Sequence, residues 1–183
     1  IFRWTVENSS CASSFSDVSI TVDAKPSTAI AGPKQIICSN SGNLSANTPV
    51  VGQGNWTLIS GLGSITNPIS ATSAVSALGL GNNIFRWTIT NGVCPPSFDD
   101  DTIFVVAIPT LANAGADQTS LCGVTSTSLS ANTPTVGTGA WSIVSGVGGS
   151  FVAPSNPSTT FNGVIGNSYV LRWTISNAPC AAS

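Results

Sequence analysis

The stretch Ile84-Phe85-Arg86-Trp87-Thr88-Ile89 is the main evidence for the fold, because it occurs three times in the sequence in closely similar form. The other copies are Ile1-Phe2-Arg3-Trp4-Thr5-Val6 and Val170-Leu171-Arg172-Trp173-Thr174-Ile175, which places the three tryptophans 83 and 86 residues apart. Successive side chains of a strand point to opposite faces, so Phe85, Trp87 and Ile89 share one face. A strand with an aromatic, apolar face packs against a core. The sequence therefore predicts a tandem repeat built around this strand.

Composition excludes several kinds of partner. The chain has 183 residues, 42% apolar and 7% charged, with a net charge of −2 and no histidine. No basic patch is present to bind nucleic acid or anionic lipid. The longest apolar run, Ile103–Ile108, is too short to cross a bilayer, so we expect no membrane insertion. Without a histidine base or a Gly-x-Ser-x-Gly motif, we expect neither enzyme activity nor a cofactor.

The five cysteines follow the repeat. Cys38 and Cys122 lie early in their copies, whereas Cys11, Cys94 and Cys180 each follow the repeated tryptophan by seven residues. This spacing predicts one disulfide within each repeat: Cys38 with Cys94, and Cys122 with Cys180. Cys11 would bond to a cysteine outside the segment. Regular disulfides indicate an oxidising, extracytoplasmic compartment. A cysteine metal site is the alternative, but CxxC spacing and histidines are both missing.

Three units are expected. Residues 1–26 form the C-terminal part of a repeat, residues 27–109 a complete repeat, and residues 110–183 a repeat that lacks its last strand. The missing strand and the mid-repeat ends lead us to expect that the natural chain continues. Short strand-like runs and turn signals, with no helical period, predict an all-β fold of tandem immunoglobulin-like sandwiches of about 84 residues. The last strand is expected over residues 17–23 of the first unit and 101–108 of the second.

Longer motifs recur with visible identity. Leu129-Ser-Ala-Asn-Thr-Pro134 repeats Leu44-Ser-Ala-Asn-Thr-Pro49 letter for letter, and Gly139–Gly146 matches Gly54–Gly61. Together with the Phe-Arg-Trp-Thr-Ile strand, these motifs resemble the Ig-like, PKD-like repeats of Bacteroidetes surface proteins. Such repeats occur in giant gliding-motility adhesins exported by the type IX secretion system. The resemblance covers essentially the whole chain and implies an extracellular, cell-surface, filament-like stalk.

The tryptophans are interpreted as core residues. Trp56 and Trp141 lie on one predicted strand, and the repeated strand carries the others, so each repeat should pack a pair beside its disulfide. The predicted core aromatics are Trp4, Trp56, Trp87, Trp141 and Trp173. A sugar-stacking platform is the alternative interpretation of these residues.

The charged residues are interpreted as surface features. Arg86 alternates with the buried face, so it should point outward and pair across the strands with Asp100. Asp99, Asp100 and Asp101 raise the alternative of calcium at the domain junctions, but consecutive strand residues cannot all converge on one ion. A solvated strand start is preferred. Asp101-Thr102-Ile103 fits the short pattern on which Bacteroidetes attach O-glycans, so Thr102 is a candidate glycosylation site.

These patterns predict a structural segment of an extracellular repeat adhesin or surface filament, an extended stalk for adhesion or gliding. Its expected partners are neighbouring repeats, other chains of a filament and, through other regions, a surface polysaccharide or cell-surface ligand. One alternative is a carbohydrate-binding array whose weak sites act through avidity. The other is a set of spacer domains in a large secreted enzyme.

Overall fold

A computed structural model describes residues 1–119 and 121–183 as an all-β protein with sandwich-like sheets. Its fourteen strands are β1 Phe2–Asn8, β2 Cys11–Val18, β3 Gln35–Ile37, β4 Gly42–Asn43, β5 Gln53–Ser60, β6 Ser64–Ile65, β7 Ala74–Ser76, β8 Gly81–Thr90, β9 Ser97–Val105, β10 Ser126–Ser128, β11 Thr138–Ser145, β12 Ser150–Phe151, β13 Thr160–Asn162 and β14 Val170–Ser176. The predicted all-β, sandwich-like fold class is confirmed. No helix in the described part of the chain is long and apolar enough to cross a bilayer.

The first two strands form an N-terminal hairpin that stands without a sheet packed on it. β1 and β2 pair only with each other, and all fifteen of their residues are exposed. Trp4 is 75% exposed, so the prediction that it is a core residue is wrong for the described chain. The reason is that, among the residues described, no second sheet packs on the face of the hairpin that carries Trp4. The second strand is also Cys11–Val18, not residues 17–23 as the alternating pattern suggested.

Residues 27–109, the middle region, form a closed two-layer sandwich. A four-stranded sheet, ordered β3-β9-β8-β5, lies against a three-stranded sheet, ordered β4-β7-β6. The core between them consists of Ala29, Ala31, Leu44, Trp56, Val75, Leu78, Phe85, Trp87, Ile89, Ile103 and Val105. The apolar faces of both sheets are buried in this way, which is what stabilises a layered β domain.

Strand β8 has the two faces that its sequence predicts. Phe85, Trp87 and Ile89 are buried, whereas the residues between them are half-buried. Its neighbour β9 begins at Ser97, four residues before the predicted start, and ends at Val105. The early start matters because it places Ser97 and Asp99 on the inward face of a strand.

Residues 110–183, the C-terminal region, follow the same plan with one layer incomplete. β11 pairs with β14, and the other sheet is ordered β10-β13-β12. Trp141 lies opposite Trp173, as Trp56 lies opposite Trp87 in the middle region. The core consists of Leu129, Trp141, Phe161, Trp173 and Ile175. Within the described residues of this region, no strand occupies the place that β9 takes in the middle region.

One strand pair runs in a direction that the sequence did not suggest. β3 pairs with β9 in parallel, with Gln35 beside Ile103 and Ile37 beside Val105. All other strand pairs in the described sheets are antiparallel. The parallel direction carries the residue after Ile37 to the C-terminal end of β9, next to the connection between the middle and C-terminal regions.

Candidate functional site at the disulfide-linked junction

A disulfide joins the middle region to the C-terminal region. Cys38 bonds to Cys180 across a sequence separation of 142 residues, with their Cα atoms 5.6 Å apart. Cys94, Cys122 and the exposed Cys11 are free thiols. The predicted bonds Cys38–Cys94 and Cys122–Cys180 are therefore both absent from the structure, and the observed bond links two regions with separate cores.

The direction of β3 explains why the predicted pairing is wrong. Cys38 follows β3 at the C-terminal end of β9, whereas Cys94 precedes the N-terminal end of β9. The strand has nine residues, so its ends are about 26 Å apart. A disulfide needs Cα atoms within about 7 Å. An antiparallel β3 would have brought Cys38 toward Cys94, but the parallel pairing separates them.

Cys180 is held at the connecting segment by a group of contacts that we call the socket. It consists of the turn from Asn177 to Cys180 and the carbonyl of the connection that the Asn177 side chain binds. The amide of Asn177 donates a 2.8 Å hydrogen bond from Nδ2 to the carbonyl oxygen of Ala107, and Cys180 Sγ lies 3.6 Å from that oxygen. The backbone N–H of Cys180 donates to the carbonyl of Asn177, which closes a turn. On the other side of the connection, the N–H of Val106 donates to the carbonyl of Ile37. The connection is thus bound from both regions.

The same socket occurs a second time, between the N-terminal segment and the middle region. Asn91 Nδ2 donates a 2.8 Å hydrogen bond to the carbonyl of Ala24, and Cys94 Sγ lies 3.6 Å from the carbonyl of Asp23. The N–H of Cys94 donates to the carbonyl of Asn91. The turn and the side-chain amide reproduce those at Cys180. The sulfur contact of Cys94 corresponds to that between Cys180 Sγ and the carbonyl oxygen of Val106, which is 3.9 Å long.

The sequence contains a signal for this socket that our motif reading missed. Asn8, Asn91 and Asn177 each follow the repeated tryptophan by four residues, just as the cysteines follow it by seven. An asparagine that recurs beside a cysteine at fixed spacing indicates a shared local structure. Its target could not be read from the sequence, because the carbonyl that it binds lies about 70 residues away.

The Leu-Ser-Ala-Asn-Thr-Pro motif fixes the segment that leads away from each junction. Asn47 accepts from the N–H of Ile30 at 2.9 Å and donates to the carbonyl of Thr28 at 2.9 Å. Asn132 makes the equivalent pair of bonds, to Asn113 and Leu111. One asparagine side chain therefore replaces a strand partner for an irregular segment, which explains why the motif is repeated letter for letter.

The inward face of β9 clamps the same segment in the middle region. Ser97 Oγ accepts from the N–H of Ala29 at 2.9 Å, and Asp99 Oδ2 accepts from the N–H of Ala31 at 2.8 Å. Asp101 Oδ2 accepts from the side-chain amide of Gln35 at 3.2 Å. The preferred interpretation of these acids as a solvated strand start is wrong, because their inward side chains bind a neighbouring segment.

Burial changes the chemistry of Asp101. Its side chain is 1% exposed, and this burial raises the pKa of the carboxyl above its ordinary value, with the Gln35 hydrogen bond acting in the opposite direction. Asp100 points to the other face. The three consecutive carboxylates thus have three different surroundings, and no group of three or more candidate metal ligands occurs among the described residues.

The outward face carries the predicted ion pair. Arg86 Nε and Nη2 donate to the two carboxylate oxygens of Asp100 at 2.8 and 2.9 Å, and the guanidinium lies 4.2 Å from the centre of the Phe98 ring. This prediction is confirmed. The Arg86 hydrogen bonds lower the pKa of Asp100. Arg3 and Asp17 form the same pair in the N-terminal hairpin, where Arg3 also lowers the pKa of Asp17.

Four of the five predicted core tryptophans are buried, as two pairs. The ring centroids are 5.1 Å apart in the Trp56–Trp87 pair and 5.3 Å apart in the Trp141–Trp173 pair. Gly54 and Gly139 make room for these pairs: a Cβ atom at either position would lie 2.0 Å from the ring of Trp87 or Trp173. The glycine of the Gly-x-Trp motif is therefore a packing requirement.

Thr102 lies on β9 with its side chain on the face opposite Asp101 and is half-buried. Its strand is flanked on both sides, by β3 and by β8. Its glycosylation stays a prediction.

Neither the protein-family models nor the curated proteins compared with this sequence give a match. The function is therefore argued from the residues and contacts of the chain.

Proposed function

We propose that this chain is a structural segment of an extracellular repeat adhesin or surface filament, in which it acts as an extended stalk for adhesion or gliding. The observation that carries the proposal is the Cys38–Cys180 bond, which joins two regions that have separate hydrophobic cores. A bond of this kind does nothing for a catalytic or binding pocket inside either region. Its effect falls on the relative position of the two.

The junction is restrained at several points. The connection contains Pro109, which limits its backbone freedom. Asn177 binds its carbonyl at Ala107, and the disulfide adds a covalent link beside it. A flexible linker lets neighbouring domains rotate independently, whereas a short and doubly anchored connection opposes rotation. Resistance to bending is the property that a stalk requires.

The disulfide also supports the proposed compartment. Disulfides persist in extracytoplasmic surroundings and are rare in reducing cytosol. A location at the cell surface, export by the type IX system and an origin in Bacteroidetes adhesins are the finer parts of this proposal, and they rest on the sequence resemblance. The other chains of a filament and a surface polysaccharide or cell-surface ligand are its proposed partners.

The carbohydrate-binding alternative is less well supported. Sugar-stacking platforms need exposed aromatic rings, but the paired tryptophans of both regions are 5% exposed or less. The exposed Trp4 does not recur as an exposed residue in the other copies. A glycan array probed with the whole chain would revive this alternative if it showed saturable binding that Trp4→Ala abolishes.

Small-angle X-ray scattering can test the stalk role. We expect the oxidised chain to behave as one rigid particle, and Cys38→Ser to broaden the distribution of distances between the regions. Cys94→Ser is the matched control, since that thiol is free in this chain. Identical scattering from Cys38→Ser and the wild type would contradict a stiffening role for the bond.

Surface exposure needs a separate test. Antibody raised against the chain should label intact source cells, and brief protease treatment of those cells should remove the label. Labelling that appears only after cell lysis would contradict the extracellular role.

A further inference from the structure

We propose that Cys94 and Cys122 are half-sites of the same inter-region bond that Cys38 and Cys180 form, so that in a longer array the cysteines make a staggered ladder. In this ladder the early cysteine of each repeat (Cys38 or Cys122) bonds to the late cysteine of the next repeat. Cys94 would receive the early cysteine of a preceding repeat, and Cys122 would bond to the late cysteine of a following one.

The first argument is that the Cys94 socket already exists. Asn91 binds the carbonyl of Ala24 at 2.8 Å, as Asn177 binds that of Ala107, and each cysteine sulfur lies 3.6 Å from a carbonyl oxygen of the connection beside it. A socket assembled without its second sulfur shows that its contacts do not depend on the bond. The late cysteine is therefore positioned before its partner arrives.

The second argument is that further junction contacts recur with the socket. The N–H of Ser27 donates to the carbonyl of Val51, and the N–H of Thr110 donates to that of Val136. Ser97 Oγ accepts from the N–H of Ala29 in one region, and Ser183 Oγ accepts from the N–H of Ala112 in the other. The two connections are thus held by matching hydrogen bonds, so the early cysteine of a preceding repeat would arrive at Cys94 as Cys38 arrives at Cys180.

The third argument excludes pairing within a repeat. The parallel β3–β9 register places an early cysteine at the far end of β9 from its own late cysteine. Cys122 occupies the equivalent early position in its copy and is exposed, and among the described residues of that region no strand takes the place of β9. A last strand in that place would direct Cys122 toward the next junction.

The chemistry needs one oxidant for each bond. Two thiols lose two protons and two electrons as the S–S bond forms, and a disulfide-bearing oxidant such as oxidised glutathione accepts both electrons and becomes two thiols. The inference rests on the array organisation of the proposed stalk. It concerns which sulfurs bond in a longer array, whereas the scattering comparison of Cys38→Ser with the wild type tests the stiffness of the present junction, so the two proposals can fail separately.

The test uses the whole chain with residues 27–109 duplicated in tandem. This insertion preserves the junctions, because Pro26 and Pro109 precede equivalent residues. The protein is refolded with oxidised and reduced glutathione, free thiols are alkylated, and unreduced tryptic peptides are weighed. Cleavage after arginine and lysine separates the cysteines usefully, since the first-copy Cys94 falls in a peptide of unique mass that spans the new junction.

The ladder predicts two linked pairs in the duplicated chain. The peptide 35–86 of the first copy should be bonded to the peptide 87–172, which holds the second-copy Cys94, and the second-copy 35–86 should be bonded to 173–183. The junction peptide should be unlinked and alkylated. A bond between 35–86 and the junction peptide, or an alkylated 35–86 peptide from either copy, would overturn the proposal.

Two matched variants make the result independent of overall yield. Cys94→Ser in the second copy should leave one Cys38 thiol free, which adds one alkylated cysteine to the intact mass relative to the duplicated parent. Cys94→Ser in the first copy should leave both linked pairs unchanged. Loss of a linked pair in the first-copy variant would contradict the ladder.

Discussion

The middle and C-terminal regions are two versions of one sandwich, and among the residues that the structure describes the last strand, β9, is found in the middle version alone. With β9 present, Phe85 is 0% exposed and Trp56 and Trp87 are each 1% exposed. In the C-terminal region, Leu171 replaces Phe85 and is half-buried, and an open cavity of about 520 Å³ is lined by Leu129, Trp141, Phe161 and Leu171, among others. The last strand therefore completes burial, although the tryptophan pair and its register form without it.

This comparison separates local from long-range causes. The Trp141–Trp173 pair forms because two adjacent strands bring both rings to one face. Gln118 and Thr119, which align with the first two residues of β3, lie outside any strand. In the middle region β3 pairs with β9, so this difference agrees with β3 depending on β9 for its hydrogen bonds.

The largest expected contrast is between Phe85→Ala and Leu171→Ala. Removing the fully buried ring should destabilise the middle region by about 3–5 kcal/mol, because it leaves a cavity. Leu171→Ala should cost less than about 2 kcal/mol, since that side chain is already half-solvated. Chemical denaturation gives the total loss, and hydrogen exchange of β8 and β14 assigns it to a region. Equal losses would show that β9 does not seal the core.

Next in size is the glycine beneath each tryptophan pair. Gly54→Ala places a Cβ atom 2.0 Å from the Trp87 ring, and the resulting overpacking should cost about 1–3 kcal/mol. Gly139→Ala creates the same contact with Trp173. We expect a smaller loss there, because Trp141, which packs against that ring, lines the open cavity and has room to shift. Gly42→Ala is the control, since its nearest neighbour would be 3.4 Å away. A larger loss at Gly139 would reverse the comparison.

A smaller effect, with opposite signs, is expected from two adjacent acids of β9. The pKa of Asp101 is raised by burial, so its contribution to stability is complete in acid and is lost as pH rises through that pKa. The stability of Asp101→Asn relative to that of the wild type should therefore increase between about pH 3 and about pH 7. The pKa of Asp100 is lowered by Arg86, so the stability of Asp100→Asn relative to that of the wild type should decrease over the same range. Urea denaturation at both pH values measures how the stability of each variant, relative to the wild type, changes with pH. The same change for both variants would mean that Asp101 is solvated.

The smallest effect is expected from Arg86→Gln. The Arg86–Asp100 pair lies on the exposed face, where both side chains are about one-third accessible or more. Exposed pairs are screened by water, so the melting temperature should fall by less than about 4 °C. Arg172→Gln is the matched control, because no acidic strand lies beside β14 in the described part of its region. A fall of many degrees for Arg86→Gln alone would show that the pair closes β9 onto β8.

Periodic features could be predicted from the sequence. The alternation of apolar and polar side chains predicted the buried face of β8, the two tryptophan pairs and the outward Arg86. These features depend only on adjacent antiparallel strands. The disulfide could not be predicted, because period-two alternation does not state whether β3 runs parallel or antiparallel to β9. The inward Asp99 and Asp101 were also missed, since polar side chains on a core face become understandable only when the segment that they bind is known.

The Cys38–Cys180 bond also decides which part of the chain would carry a mechanical load. A pull along the backbone reaches Cys38 and can continue through the sulfur atoms to Cys180, so the residues between them lie outside the loaded path. The separation is 142 residues, which corresponds to roughly 500 Å of extended chain that force cannot draw out. Both tryptophan pairs and the four strands that carry them, β5, β8, β11 and β14, lie in this protected loop. The tether would keep its length under tension even while a core was open.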